Sequence, residues 1–424
     1  MAHRYHTLLL CLGLAAAFTL LFHDTGIGLN LLLFEALAAL AWKLAGRRVR
    51  WSPLARVSLG AVAATAVAIV LHASAMAIAL NIISVALAVG LLLAPELSAT
   101  HHAFLLAVQH AWKVPAVFAR MLPRRGIDGA GARVAPRLII TTASMPLLLA
   151  LFAGLYGASN PYFGALVDRF YAWVGQADLS LLLTLVLGLF FSLFLLLASA
   201  HPRLLAWAGL RSDALTPTPP SADRGEMRLG LVLFSALNAL LLLMNVLDLQ
   251  HVWLHFTFTG QYLKEFVHQG TWMLIVSIVL GAALVLYFFR GDINFIRGNA
   301  PLKWLALAWL AQNAMLAASV GMRTYHYVHH YGLAYKRIGV VIFLLATLIG
   351  LWIVMRKTMH RRSAHYLARW SVLGAFVVVV LASLIDWDLV IARYNLAHRT
   401  TTFVELGYLA FLDEKTLPLV QLSE

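Results

Sequence analysis

The hydrophobic positions of this chain form eleven continuous apolar stretches separated by short polar connectors. A membrane-spanning helix needs about 20 apolar residues, and stretches of this kind recur along the whole chain. The stretch from Leu181 to Ala200 shows no alternation of apolar and polar residues, which the strands of a membrane barrel would require. The sequence therefore predicts an all-α, polytopic transmembrane helix bundle of about 11 spans, at residues 7–23, 27–44, 54–73, 76–95, 138–157, 180–200, 229–248, 271–289, 303–321, 338–355 and 370–387.

Lysine and arginine residues are unevenly divided between the two sets of alternate connectors. Of the 32 basic residues, 24 lie in the N-terminal segment and in every second connector after it, and only 8 lie in the other set. Connectors rich in lysine and arginine stay in the cytoplasm. The distribution predicts a cytoplasmic N-terminus and, with an odd number of spans, an extracytoplasmic C-terminus.

Two membrane halves follow from the order of the spans. Residues 1–200 would hold six spans and residues 229–387 would hold five. Between them, residues 201–228 include a polar stretch with Pro217, Pro219 and Pro220, which predicts a flexible cytoplasmic linker. Residues 388–424 carry spaced apolar positions after the last span, which predicts an amphipathic extracytoplasmic tail.

The connector at residues 97–137 differs from the others because it mixes large apolar residues with histidine, lysine and arginine. Between Ala99 and Leu122 this mixture predicts an amphipathic helix lying on the inner leaflet. The basic residues that follow it predict attraction to anionic lipid. Docking of a partner protein on the basic inner connectors is the alternative.

Composition agrees with a membrane protein. The chain is 62% hydrophobic and 12% charged, with a mean hydropathy of +0.82, whereas soluble domains carry about 25% charged residues. Because sorting of positive charge to one side explains the net charge of +14, no nucleic-acid partner is predicted. The single cysteine, Cys11, excludes a disulfide and a cysteine-based metal site, and it is interpreted as a small buried hydrophobe.

Short motifs in the second half resemble a known family. In order, the chain reads Tyr-Leu-Lys-Glu-Phe-Val-His-Gln-Gly at 262–270, Arg-Thr-Tyr-His-Tyr at 323–327, Tyr-Gly-Leu-Ala-Tyr-Lys-Arg at 331–337, Asp-Trp-Asp-Leu-Val-Ile-Ala-Arg-Tyr-Asn-Leu at 386–396 and Glu-Leu-Gly-Tyr-Leu at 405–409. These motifs resemble the bacterial polytopic membrane family catalogued as domain of unknown function 4173, with its 4153 relatives. The specific resemblance covers about residues 230–424. It implies a multi-pass protein of the bacterial inner (cytoplasmic) membrane and carries no established activity.

A histidine and tyrosine cluster is predicted on the outer face. His326 and His330 would lie on one helix face if the ninth helix continued to about Tyr331. The other members are His329, His251, His255 and His268. Paired imidazoles can bind Zn²⁺ or Cu²⁺ when further ligands converge. The alternatives are a pH-sensing cluster and an interfacial aromatic belt, so no cofactor is predicted.

Glu35 lies near the middle of the second predicted span, after Asn30. An acidic side chain at this depth is costly unless it is buried or paired. The functional interpretation is a proton or cation relay that includes Glu35 and Asn30. The alternative is a protonated glutamic acid hydrogen-bonded to a neighbouring helix.

Polar side chains in other spans have a structural default. The amides of Asn81, Asn238, Asn245, Gln312 and Asn313 are expected to join helices by hydrogen bonds. Ligand-binding or structural roles are considered for three residues of the second half, Arg323, Arg393 and Asn395.

No phosphate loop, nucleophile elbow or kinase signature is present, and the connectors are too short for a separate catalytic domain. The predicted function is therefore that of a transport or sensing and signalling component, non-enzymatic by default. One alternative is an intramembrane or metal-dependent enzyme that uses the outer histidine and tyrosine cluster. The other is a non-catalytic membrane scaffold subunit.

Overall fold

A computed structural model describes residues 2–47, 51–121, 149, 152–157, 159–174, 179–197, 202–209, 211–217, 224–256, 260–400, 402 and 406–421. Within these residues the chain is helical and contains no β-strand, only an isolated bridge between Ala214 and Arg362. The predicted span at 138–157 lies mostly outside the described residues, although residues 152–157 are helical. The predicted all-α helix bundle is confirmed.

The chain divides into two compact units, Met1–Gly209 and Leu210–Glu424. The described helices of the first unit are α1 (Ala2–Phe22), α2 (Leu29–Leu44), α3 (Pro53–His72), α4 (Ala75–Leu93), α5 (Thr100–Met121), α6 (Pro161–Val174), α7 (Leu179–Leu196) and α8 (Pro202–Gly209). Those of the second unit are α9 (Arg224–Asp248), α10 (Gly260–Phe288), α11 (Ala300–Tyr331), α12 (Tyr335–Met359), α13 (Ala364–Ser383), α14 (Trp387–Ala397), α15 (Leu406–Leu409) and α16 (Leu417–Gln421).

Seven helices in the described part of the chain are long and apolar enough to cross a membrane. They are Tyr5–Phe22, Pro53–His72, Ala75–Leu93, Arg224–Leu254, Ala300–Tyr331, Tyr335–Met359 and Ala364–Ser383. Two shorter apolar helices, Ser180–Leu196 and Trp272–Phe288, accompany them. The protein is therefore a multi-pass membrane protein, embedded in a lipid bilayer.

Helix α11 is longer than the span predicted at 303–321. It continues to Tyr331 because the polar side chains beyond residue 321 find partners: Arg323, Thr324 and Tyr327 are all buried. Buried polar groups are tolerated at this depth when they are hydrogen-bonded or paired. The apolar stretch in the sequence ends before these polar residues, but the helix continues through them.

In the first unit, α1 packs along α7, and α3 packs along α4. The core around α1, α2 and α7 includes Cys11, which is fully buried beside Leu14, Phe34 and Leu193. The prediction that Cys11 is a buried hydrophobe is confirmed. Close packing of α1 on α7 depends on Gly188, since a Cβ atom there would lie 2.8 Å from the carbonyl oxygen of Ala15.

Helix α5 occupies the predicted amphipathic connector, and its two faces differ as expected. Phe104, Leu105, Val108 and Trp112 are exposed, as an apolar face turned toward lipid would be. The opposite face packs on α4 and α7 and buries His110. The helix is thus part of the first unit's packing and not only a surface anchor.

Helix α11 lies at the centre of the second unit, where it packs against α9, α10 and α12. The core of this unit is apolar and includes Phe234 on α9, Ile278 on α10, Leu310 and Leu316 on α11, and Leu351 on α12. Helix α13 continues the arrangement by packing on α12. Polar groups on α11 can therefore reach three neighbouring helices.

Part of the interval predicted as a flexible linker is ordered against the second unit. Leu215 N donates to Arg361 O at 3.0 Å, and Ser363 N donates to Asp213 O at 2.9 Å. Asp213 also forms an ion pair with Arg369 at 2.9 Å. Backbone hydrogen bonds and this ion pair thus attach residues 211–217 to α13 and to the turn that precedes it.

The tail after the last span packs on the end of α12. Ile391 and Ala392 of α14 and Leu409 are buried together with Ile338 of α12. Lys415 forms an ion pair with Asp386 at 3.0 Å. Partial burial would lower the pKa of Lys415, but the hydrogen bond and charge of Asp386, with help from Asp413, outweigh burial and raise that pKa.

Candidate functional site

Polar side chains of α9 and α11 face each other along a line that we call the α9–α11 seam. Gln312 Nε2 donates to Asn238 Oδ1 at 2.7 Å, and Asn238 Nδ2 donates to Leu305 O at 3.0 Å. Further along α9, Asn245 Nδ2 donates to Gln312 O at 3.2 Å. The prediction that these amides join helices is confirmed for this seam.

The two remaining amides, Asn81 and Asn313, differ in whether they bond to a neighbouring helix or to their own. Asn81 joins α4 to α3, because its Nδ2 donates to Thr65 Oγ1 at 3.2 Å and to Val62 O at 3.3 Å. Asn313 Nδ2 instead donates to Trp309 O on its own helix at 2.7 Å. The contact between α10 and α11 at this level is made by Trp309 Nε1, which donates to Gly281 O at 3.2 Å.

A buried ion pair stands at one end of the seam. Arg323 Nη2 of α11 donates to Asp248 Oδ1, the last residue of α9, and both side chains are 4% exposed. Asp248 Oδ2 is buried and has no hydrogen-bond partner among the described residues. Removing two charges from water costs several kcal/mol per ion, which their attraction repays only with good geometry. A charged pair in this setting is a candidate functional site.

A π-helix, Leu249–Leu254, follows Asp248 without a break. Its wider turn faces α11, because Trp253 Nε1 donates to Ser319 Oγ at 3.1 Å and Val252 O lies 2.9 Å from His326 Nε2. π-Helical turns within α-helices are frequent at functional sites. The α9–α11 seam therefore ends in an ion pair and an irregular turn, both in contact with α11.

The histidines at the end of α11 make contacts with neighbouring rings and with backbone oxygens. His326 stacks on Phe256 with ring centroids 3.8 Å apart, and His330 Nδ1 lies 2.8 Å from His326 O. His329 is exposed, with its ring 5.3 Å from that of His330. Among the described side chains of this face, no three metal-ligand atoms converge. The geometry supports ring packing and hydrogen bonding to backbone for this group.

Two other histidines of the predicted cluster lie at the π-helix. His251 and His255 belong to or follow the π-helix, and both are exposed. His255 Nδ1 lies 3.3 Å from Gln250 O, so it closes the end of its own turn. His268 lies outside the residues whose side chains the structure describes.

The turn between α11 and α12 is held by Asn395 of α14. Asn395 Oδ1 accepts from Leu333 N at 2.6 Å, and its Nδ2 donates to Leu333 O at 2.9 Å. Gly332 has φ of +76°, and a Cβ atom there would lie 2.6 Å from Asn395 Oδ1. Arg337 Nη1 donates to Tyr331 O at 2.9 Å and also to Gly332 O. We call this arrangement the outer clasp, and in it Asn395 has a structural role.

Arg393 lies on the side of α14 opposite to Asn395 and is exposed. Asn395 is 4% exposed, so the two residues of α14 considered from sequence point to different surroundings. Of the three residues considered for ligand binding, only Arg323 is placed in a buried charged site.

Glu35 and Asn30 of α2 are not brought into one site. Asn30 Nδ2 donates to Leu21 O at 2.9 Å and to Gly26 O at 2.8 Å, while its Oδ1 accepts from Gly28 N at 2.7 Å. Asn30 thus organises the turn between α1 and α2. Glu35 lies instead beside Asn81 of α4, and its Oε1 is buried without a hydrogen-bond partner among the described residues.

Sequence reasoning singled out Arg323 but did not join it to Asp248. A signal was present: both residues border apolar spans, and a lone charge at such a position requires a partner. The sequence offered several acidic residues on the same side, including Asp386 and Asp388, and no spacing rule chooses among residues on different helices. The pairing requires the packing of α9 on α11.

The fold and the seam together define a multi-pass membrane helix bundle with a buried charged site. The chain belongs to the family described as a domain of unknown function, DUF4153, whose family model matches residues 59–421. No curated protein and no solved structure is significantly similar to the chain.

The family assignment from sequence needs one correction. The matching family is 4153, named above only as a relative, and not 4173. The match also covers most of both units, whereas the sequence motifs lay mainly in residues 230–424. The status as a domain of unknown function is confirmed.

Proposed function

We propose that this protein is a transport or sensing component of a bacterial inner membrane, with the Asp248–Arg323 pair as its charged solute-binding site. The observation that carries this proposal is the burial of the pair, at 4% exposure for each side chain, between two helices of a membrane bundle. Neither residue contributes to the hydrophobicity that a helix needs in order to insert into the membrane. Replacement of a buried ion pair by apolar residues is often neutral or stabilising, so stability alone does not account for the pair.

The surroundings of the pair favour binding over bond-breaking chemistry. Ser319 accepts a hydrogen bond from Trp253, and His326 Nε2 lies against Val252 O, so this hydroxyl and this imidazole each have a partner on the π-helix. Asp248 Oδ2 retains acceptor capacity, since it has no hydrogen-bond partner among the described residues. A charged solute that replaces one member of the pair would change the attachment of α9 to α11. Such differential binding is what shifts a conformational equilibrium.

The expected topology sets the position of the ion pair relative to the two membrane surfaces. With the eleven spans expected from the apolar stretches, the sorting of lysine and arginine favours a cytoplasmic N-terminus and an extracytoplasmic C-terminus. In this orientation the pair and the π-helix lie near the outer surface, and the turns that join α10 to α11 and α12 to α13 lie near the cytoplasm. A solute arriving from outside would meet the α9–α11 seam first at its charged end.

A solute panel tests the proposal. Purified protein is unfolded thermally in the presence of amino acids, carboxylates, sugars, inorganic cations or inorganic anions. A solute bound at a hundred times its dissociation constant stabilises the folded state by about 2.7 kcal/mol. We expect at least one class to raise Tm of the wild type and not of the Asp248→Leu, Arg323→Met double variant.

The matched control is the ion pair between Asp213 and Arg369, which belongs to the same unit and is partly exposed at 30% and 24%. The Asp213→Asn, Arg369→Gln double variant is expected to respond to the solute as the wild type does. A solute response that persists when Asp248 and Arg323 are replaced would contradict the proposal, as would a panel without any stabilising solute.

A further inference from the structure

A shallow groove lies where α11 begins, beside the end of α12. It is lined by Ala300, Lys303, Trp304, Leu307, Thr358 and Met359, with a volume of about 170 Å³. This is the space of roughly five or six water molecules. The lining is apolar apart from the ammonium group of Lys303 and the hydroxyl of Thr358, and that hydroxyl donates to Val354 O at 3.0 Å.

A second positive charge, that of Arg361, lies near Lys303 of this groove. The Arg361 guanidinium is close enough to Lys303 for their charges to repel, and it lies over the Phe295 ring at 5.3 Å from the ring centroid. Within the described part of the chain, neither Lys303 nor Arg361 forms an ion pair with an acidic residue. Two neighbouring cations without an acidic residue between them form a site for an anion.

Other cations at this end of the unit do have partners. Arg290 pairs with Glu226 at 3.2 Å, Arg369 pairs with Asp213 at 2.9 Å, and the buried Lys357 donates from Nζ to Phe289 O at 3.1 Å. Lys303 and Arg361 differ from these three cations because neither has such a partner among the described residues.

The apolar part of the groove is exposed to its surroundings. Trp304 is 69% exposed and Met359 is 47% exposed. Nearby arginines lie over aromatic rings, Arg290 over Tyr287 at 4.0 Å and Arg356 over Trp352 at 5.3 Å. Aromatic rings and long cationic side chains take such positions at the boundary between lipid tails and headgroups. The groove therefore lies at the depth of lipid headgroups.

We propose that this groove binds one anionic phospholipid, with its headgroup phosphate between Lys303 and Arg361 and the upper part of an acyl chain against Trp304, Leu307 and Met359. Charge complementarity selects an anionic headgroup. A lipid is favoured over free phosphate because the groove offers apolar surface that only an acyl chain would cover. The site is separate from the α9–α11 seam and does not depend on the function proposed for that seam.

Native mass spectrometry and thermal unfolding test the lipid site. The full-length protein is prepared in detergent and supplied with phosphatidylglycerol, with phosphatidylcholine or with inorganic phosphate. We expect phosphatidylglycerol alone to raise Tm and to remain bound at one molecule per chain. The Lys303→Gln, Arg361→Gln double variant should lose this bound lipid, with affinity lower by about fivefold for each charge removed.

Two comparisons keep the test specific. Arg297→Gln removes an exposed charge from the same end of the unit and should leave the bound lipid in place. Trp304→Ala should weaken phosphatidylglycerol binding without changing the preference for an anionic headgroup. Equal lipid retention in the wild type and the double variant would overturn the proposal. So would equal loss in Arg297→Gln, which would indicate surface potential only, or equal stabilisation by inorganic phosphate, which would indicate a soluble anion as the ligand.

Discussion

Arg323 on α11 donates a hydrogen bond to Asp248 at the end of α9, and the ion pair that results is almost completely buried. Removing one member of a buried ion pair destabilises a protein far more than replacing both members by apolar residues, because the remaining charge is buried without its counter-charge. Single and double variants are therefore expected to differ in stability, and only a pair that the fold requires would also lower the stability of the double variant.

Asp248→Leu and Arg323→Met are each expected to destabilise the protein by about 3–5 kcal/mol, because each breaks the buried ion pair and leaves one of its two charges behind. The double variant should unfold within about 1 kcal/mol of the wild type, since matched apolar side chains fill the same space. Thermal unfolding in detergent measures all three. Asp213→Asn is the control and should cost about 1 kcal/mol or less, because its pair with Arg369 is partly exposed. Similar losses in the single and double variants would contradict this account.

Asn395→Ala is expected to loosen the outer clasp by about 1–3 kcal/mol, because the backbone N–H and C=O of Leu333 lose their partner together. Hydrogen exchange at the Leu333 amide should become faster, and protease cleavage in the tail should increase. Arg393→Ala, on the exposed side of the same helix, serves as the control. Unchanged exchange at Leu333 in Asn395→Ala would show that the clasp does not hold the turn.

The stability of the first unit is expected to fall below pH 6.5 through His110. Helix α5 lies outside the candidate spans, and burial lowers the pKa of His110 to about 4, although its Nε2 donates to Phe194 O at 3.1 Å and so opposes the shift. The neighbouring charges of Arg47 and Lys113 lower this pKa further. Between pH 6.5 and about pH 4 the unfolded chain binds a proton that the folded chain excludes, so unfolding is favoured as pH falls.

Thermal unfolding at a series of pH values tests this dependence. His110→Gln keeps a hydrogen-bond donor but cannot titrate, so its Tm should fall less between pH 6.5 and pH 4 than that of the wild type. His6→Gln, which changes an exposed histidine of the same unit, should behave like the wild type. An identical pH dependence in His110→Gln and the wild type would exclude His110 as the source.

Glu35→Gln tests the relay hypothesis for the first unit. The amide keeps the shape of the side chain beside Asn81 but cannot release a proton, so proton flux should be abolished if Glu35 is a relay. The protein is reconstituted in vesicles that contain a pH-sensitive dye, and a pH gradient is applied. Glu96→Gln, an exposed acidic residue of the same unit, should leave the flux unchanged. Wild-type flux in Glu35→Gln would end the relay hypothesis.

Much of the fold is predictable from sequence because each span must satisfy its own backbone hydrogen bonds. Apolar runs of sufficient length therefore identify helices, and α3, α4 and α12 lie close to the predicted spans. The span predicted at 303–321 stops short of the end of α11 because Arg323 and Thr324 interrupt the apolar pattern, although both are buried. Continuation to Tyr331 was considered only as a condition for the histidine cluster. Local hydropathy does not contain information about neighbouring helices.

The candidate site was less predictable than the fold, because the sequence pattern does not show which helices pack against each other. Asn238, Asn245 and Gln312 were identified as residues that join helices, since an amide in a span requires a partner wherever it lies. Which partner it finds depends on the packing of α9 on α11. Asp248 and Arg323 are 75 residues apart in sequence, and neither lies in a motif with a fixed spacing.

The most direct test of the central claim, that Asp248 and Arg323 bind a solute, is to exchange the two residues. The Asp248→Arg, Arg323→Asp variant retains opposite charges in the same unit, and its folding is checked by thermal unfolding without solute. Tm is then measured with the solute that stabilises the wild type. The account predicts a folded variant whose Tm no longer responds, because the charge that the solute contacts lies on the wrong helix. A folded variant with the full wild-type response would contradict it and would assign the pair a purely structural role.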